Sequence, residues 1–132
     1  MTIDQISVFM ENRAGQLVQI TSLLSEKNLT VRAVSIAETK DYGILRLLAD
    51  DPSKVAEALR ESGFIFSVTP VHAVPVSDEP GGLNKLLHKI SSAGIDVQYM
   101  YSVYSLKDHV PYMMIRVEDG EKLEGLLKDR HF

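Results

Sequence analysis

A chain of 132 residues with 45% hydrophobic and 24% charged side chains has the balance of one folded domain, which excludes disorder, collagen and low complexity. Fourteen Lys and Arg against eighteen Asp and Glu give a formal charge of −4, with no basic block to draw the chain to nucleic acid or anionic lipid. Cysteine is absent, which removes disulfide scaffolds, thiolate zinc sites, iron–sulfur clusters and cysteine nucleophiles together.

The start, Met1-Thr2-Ile3-Asp4-Gln5, lacks the basic and apolar stretches of a signal peptide. No apolar run approaches the roughly 18 residues that span a bilayer. A cytoplasmic protein is expected. Ile6, Val8 and Met10 alternate as in a half-buried strand. Glu11-Asn12-Arg13-Ala14-Gly15 breaks the alternation, and Leu17, Ile20 and Leu24 then recur at helical spacing. Asn28 stands where that helix stops, because it tolerates the left-handed conformation of a C-cap. Leu29 and Val31 open a second strand, and Val34 and Ile36 continue it out of phase, which predicts a β-bulge near Arg32-Ala33.

A hairpin turn at Lys40-Asp41-Tyr42-Gly43 leads to Leu45, Leu47 and Ala49, the inward face of a third strand. Asp50-Asp51-Pro52-Ser53 then favours the start of a second helix, with Val55, Ala58 and Leu59 as its buried stripe. The run Phe64 to Val76 is strand-like but holds Pro70 and Pro75, which predict an edge or a break.

The same order then repeats. A shift of 66 sets Val8 on Val74, Asn12 on Asp78, Gly15 on Gly81, Leu17 on Leu83, Ile20 on Leu86 and Leu24 on Ile90. From about Ile44 the shift becomes 68, so that Asp50-Asp51 meets Glu118-Asp119, Leu59 meets Leu127 and Phe64 meets Phe132. The two extra residues fall between Ser105 and Pro111, at a hairpin tip. Gly94 takes the place of Asn28, and Ile95, Val97 and Met100 show the same slip of phase. The chain is therefore a duplication, with repeat 1 over residues 1–70 and repeat 2 over 71–132. Repeat 2 stops at Phe132, without the last strand that Ile65-Phe66-Ser67-Val68 gives repeat 1, so a strand edge there needs a cover.

The expected fold class is α+β: two ferredoxin-like βαββαβ units, each an antiparallel sheet packed on two helices and rigidly joined. That topology hosts many functions. Val8-Phe9-Met10-Glu11-Asn12-Arg13-Ala14-Gly15-Gln16-Leu17 resembles the opening of an ACT domain, in which an N/D-x-P-G-x-L turn leads from strand to helix. Val76-Ser77-Asp78-Glu79-Pro80-Gly81-Gly82-Leu83 resembles it more closely, with the proline in place of the Ala14 of the first turn.

The resemblance implies a stand-alone, non-catalytic regulatory module that binds an amino acid at an interface between two ACT units and modulates an enzyme of amino-acid metabolism. It implies Asn12, Arg13, Ala14, Gly15, Gln16 and Leu17 as ligand-binding residues, together with Asp78, Glu79, Pro80, Gly81, Gly82 and Leu83. Physically, the glycines let backbone come close to a ligand and the following helix offers unpaired N–H groups to a carboxylate. Arg13 can pair with that carboxylate, Asp78 or Glu79 can accept from the ammonium, and Asn12 can do either. Equally, Asn12 and Asp78 can serve only to cap the turns that the glycines permit.

No cofactor, metal or catalytic residue is expected. His72, His88, His109 and His131 have no metal-ligand spacing, and no Ser or Thr has a companion base. Tyr99, Tyr101, Tyr104 and Tyr112 with Met100, Met113 and Met114 make an aromatic, thioether-rich hairpin that suits strand packing, a pocket wall or an interface. An RNA-binding sheet needs exposed aromatics at set positions and a basic surface, but repeat 1 has no such aromatics on its central strands and the chain is acidic. The expected partners are an amino acid, a second copy in a homodimer and an unidentified enzyme, with neither nucleic acid nor membrane. The alternative is a ligand-free assembly subunit that associates through exposed strand edges.

Overall fold

The computed structural model describes residues 1–11, 13–38, 41–105 and 107–128. Ten elements run in the order β1 (Thr2–Glu11), α1 (Gln16–Glu26), β2 (Val31–Glu38), β3 (Tyr42–Ala49), α2 (Pro52–Glu61), β4 (Ile65–Pro75), α3 (Gly82–Ser92), β5 (Val97–Ser105), β6 (Val110–Val117) and α4 (Gly120–Leu127). Asn12, the turn residue Lys40, His131 and the terminal Phe132 lie outside the described residues.

The chain forms two compact units, Asp4–Thr69 and Pro70–Phe132, the second of which also takes in Met1–Ile3. In the N-terminal unit the strands lie in the order β2-β3-β1-β4, and β3 pairs antiparallel with both β1 and β2. One face of that sheet packs on α1 and α2 through Ile6, Val8, Ile20, Leu24, Leu45, Leu47, Val55 and Leu59, all buried. In the C-terminal unit β6 pairs antiparallel with β4 and β5, and the core is Val74, Val76, Leu86, Ile90, Ile95, Met113, Ile115, Val117 and Leu123. Ile6, Val8, Ile20, Leu24, Leu45, Leu47, Val55 and Leu59 are among the residues that the helical stripes and alternating strands of the first repeat mark out.

Local chemistry explains the element ends. Asp51 and Asp119 cap α2 and α4, their side chains accepting from the backbone N–H of Lys54 and Lys122 at 3.2 and 3.0 Å. Asn28 and Gly94 end α1 and α3 with φ of 57° and 73°, in the left-handed region expected of them. The slips of phase are β-bulges: register shifts fall between Val31 and Ala33 on β2, and between Val97 and Tyr99 on β5. The first bulge puts Val34 and Ile36 opposite Leu47 and Leu45, hence on the helix side of the sheet. At the edge of the unit no helix covers them, and they stay 51% and 48% exposed.

Of the edge or break expected at the prolines, the break is not found: β4 runs unbroken from Ile65 to Pro75. Proline removes one donor from a ladder but keeps its acceptor, and the Pro70 carbonyl accepts from Arg116 Nη1 at 3.1 Å. Tyr42 and Gly43 are not turn residues but open β3, opposite Glu11 and Met10 of β1. The edge of β4 in the C-terminal unit is also partly covered: Met1–Ile3 belongs to this unit, and the Met1 carbonyl accepts from Ala73 N–H at 2.9 Å.

Candidate functional site

Each unit carries a turn between its first strand and first helix, and the two turns share one backbone solution. Gly15 and Gly81 are the N-caps of α1 and α3, with φ of 87° and 92°, and neither helix start is capped by a side chain. A Cβ on either glycine would meet open space, so the positive φ, not crowding, is what calls for glycine. Among the described residues no side chain caps the first-turn N–H groups of either helix.

The side chains around these backbones differ. In the N-terminal turn Arg13 Nε donates to Glu11 Oε2 at 2.8 Å, so the cation expected to meet a ligand carboxylate already has an anion beside it. Gln16 is buried, and its Nε2 donates to Gln19 Oε1 at 3.1 Å. Leu17 packs against the core, while Ala14 is exposed. Of the described residues of this turn, Arg13 and Gln16 each have a neighbouring side chain as partner.

In the C-terminal turn the Glu79 N–H donates to Ser77 Oγ at 3.2 Å and the Gly82 N–H to the Glu79 carbonyl at 3.1 Å. Gly82 is held by contact: a Cβ there would overlap the Ser77 carbonyl oxygen. Its counterpart in the first repeat, Gln16, carries a Cβ, so the second turn is wound more tightly. Asp78, Glu79 and Pro80 are exposed around it. A depression of about 570 Å³ opens here, lined on its polar side by Ser77, Asp78, Glu79, Gly81 and Gly82. Its apolar side is Val76, Leu83, Leu87, Pro111 and Met113. Of the sequence-marked residues, Asp78, Glu79, Gly81, Gly82 and Leu83 thus share one concavity. Ser77 and Pro111 join them without having been singled out as site residues, and Met113 joins them from the hairpin that suited a pocket wall. The 66-residue shift pairs Ser77 with Glu11 and so hid it.

The remaining candidate groups have local partners. His72 is buried on β4 with its Nε2 2.9 Å from Glu124 Oε2 of α4. Among the described residues no cluster of three His, Asp or Glu could hold a metal ion. Tyr112 donates to Asp108 Oδ2 at 2.7 Å across the β5–β6 hairpin, a bond that raises its phenol above the usual range. Met113 and Met114 are buried on opposite faces of β6, as ordinary strand packing requires. No helix among the described residues is long and apolar enough to cross a membrane.

Two ferredoxin-like units, each opening its first helix on a glycine-capped turn, define a tandem α+β module. The chain belongs to the ACT family, as an ACT domain pair matched over residues 1–130. A crystal structure of a protein from Bacteroides thetaiotaomicron is similar at 35% identity and a TM-score of 0.91, over 98% of this chain and 89% of that one. The ligand-free regulatory subunit of aspartate kinase from Thermus thermophilus shares the fold at a TM-score of 0.67 and 16% identity, over 97% and 90% of the two chains. That from Thermus flavus does so at 0.63 and 15%, over 95% and 88%. A search of curated proteins returned no significant match.

Proposed function

We propose that this ACT domain pair is a non-catalytic regulatory module that binds a small amino acid and modulates a partner enzyme. The observation that carries the reading is the C-terminal turn, where uncapped helix N–H groups, two exposed carboxylates and an apolar wall meet in one depression. The N–H groups at the start of α3 suit the α-carboxylate, Asp78 or Glu79 the ammonium, and Leu83, Leu87, Pro111 and Met113 an apolar side chain. The N-terminal turn, Asn12 to Leu17, contributes less, because Arg13 is paired with Glu11. The likeness in fold to regulatory subunits of aspartate kinase supports a regulatory role. Binding acts by population shift: the ligand stabilises the arrangement it prefers, and so alters what the partner meets. The setting is the cytoplasm and the working form a homodimer, the commonest symmetric assembly.

A thermal-shift screen against the twenty amino acids tests this. A ligand at about 100 times its Kd adds roughly 2.7 kcal/mol, a rise of several degrees for a chain of this size. A rise confined to apolar amino acids is expected. Twenty flat curves would remove the amino-acid reading. They would leave the assembly-subunit alternative, which is favoured by the exposed Val34 and Ile36 on the edge strand β2.

A further inference from the structure

One contact between helix and strand changes character from the first repeat to the second. In the N-terminal unit Ile6 of β1 and Ala56 of α2 are both buried and apolar. Their counterparts in the C-terminal unit, by the shifts of 66 and 68, are His72 of β4 and Glu124 of α4. His72 is buried, and its Nε2 lies 2.9 Å from Glu124 Oε2. An apolar pair serves the first repeat, so packing alone does not call for a polar one, which is costly to desolvate. Glu124 Oε2 is shielded from solvent, yet the side chain as a whole stays 42% exposed. A buried imidazole thus holds a carboxylate whose other face is open.

Beside it a cavity of about 640 Å³ lies between α4 and β4, with Val74, Pro75 and Leu127 as an apolar wall and Glu124 and Lys128 as its charged side chains. Lys128 follows Glu124 at i+4, the order and spacing at which the two ordinarily pair on a helix. No ion pair joins them among the described residues, because Glu124 turns to His72. The counterpart of Lys128 in the first repeat is Arg60, whose guanidinium lies 5.7 Å from the Phe66 ring centroid. The C-terminal unit therefore keeps an anion and a cation, one helical turn apart, on one apolar cavity.

An added β-strand does not suit this edge, since the Ala73 N–H already donates to the Met1 carbonyl and Pro75 has no N–H to offer. A small molecule with an ammonium for Glu124 and a carboxylate for Lys128 does suit it. A single amino acid carries both groups on one carbon, short of the about 5–6 Å between side-chain origins at i and i+4. A second residue lengthens it by a step of about 3.8 Å, and cavities of this size take molecules larger than one amino acid.

We propose that the α4–β4 cavity binds a short apolar peptide with free termini, of dipeptide size. Its ammonium meets Glu124, its carboxylate meets Lys128, and its side chains lie on Val74, Pro75 and Leu127. The proposal does not depend on the amino-acid reading of the C-terminal turn, with which this cavity shares no lining residue.

The test is an amide NMR titration of the nitrogen-15-labelled full chain with leucyl-leucine. Saturable shift changes at Ala73, Val74, Leu127 and Lys128 are expected. Affinity should fall about tenfold in Glu124→Gln, in Lys128→Gln, and when either end of the peptide is capped by acetyl or amide. His72→Ile/Glu124→Ala, which installs the pair of the first repeat, should keep the melting temperature and lose the binding. Melting curves check that the single variants fold. Absence of saturable binding overturns the proposal, as does binding that leaves Ala73 and Leu127 still. Equal affinity for the peptide capped at both ends, or in the Glu124 and Lys128 variants, overturns it as well. Free leucine bound at the same residues as tightly as the dipeptide would overturn the assigned ligand size.

Discussion

The N-terminal and C-terminal units use equivalent positions for their cores and different residues at their turns. Ile20 and Leu86 are fully buried at matching points on α1 and α3, and Asp51 and Asp119 cap α2 and α4 through the same side-chain bond. At the turns, by contrast, one repeat pairs Arg13 with Glu11 and buries Gln16, while the other leaves Asp78 and Glu79 exposed and folds Gly82 onto the Ser77 carbonyl. After duplication the parts that hold each unit together stayed alike. The parts that meet solvent diverged, which is where binding is free to specialise.

The strongest way to sharpen this contrast is through the cores. Ile20→Ala and Leu86→Ala should each cost about 2–5 kcal/mol, since each empties a fully buried site. Chemical denaturation of the two variants checks it, and similar losses are expected from both units. The turns come next. Gly82→Ala should cost about 1–3 kcal/mol, because the Ser77 backbone must move. The reciprocal change, Gln16→Gly, should cost no more than roughly 1 kcal/mol beyond the buried amide contact it removes. Gly82→Ala should also abolish any amino-acid thermal shift, while Gln16→Gly should preserve it.

The smallest effect is electrostatic. Arg32 Nε and Nη2 donate to the two Asp50 oxygens at 2.7 and 2.6 Å, and this bond holds the Asp50 carboxyl below the usual carboxylate range. A lowered folded-state value means stability that is present above the ordinary carboxylate pKa and lost as pH falls through the lowered one. The matching pair in the second repeat is Glu118 and Gln98, which has no cation. Melting temperature against pH should therefore lose part of its acid-side fall in Asp50→Asn and less of it in Glu118→Gln. Both partners are solvent-exposed, so added salt should shrink the difference.

Much of the fold was legible in the sequence because it depends on local rules. Helical stripes, acidic helix starts and left-handed Asn28 and Gly94 each follow from one residue type at one place. The bulges were legible because a strand that changes phase must either slip or bury the wrong side chains, and Val31 to Val34 slips. What was not legible depends on neighbours distant in sequence. Pro70 reads as an edge or a break, and only the structure shows β4 running on through it with Arg116 against its carbonyl. The exposure of Val34 and Ile36 was not legible either, because no pattern along β2 tells how far cover reaches toward the edge.

The turns were located by their glycines, but their inequality was not. Arg13 carries the same charge in the sequence whether or not Glu11 reaches it, and Ser77 is silent until its oxygens meet Glu79 and Gly82.

The measurement that bears most directly on the specialised turn is a two-dimensional amide NMR titration of the nitrogen-15-labelled chain with the amino acid that raises its melting temperature most. Chemical-shift changes concentrated on Ser77 to Leu83 and on Met113, with Arg13 to Leu17 moving less, are the predicted result. Equal changes at both turns, or changes that leave Ser77 to Leu83 still, would contradict the account.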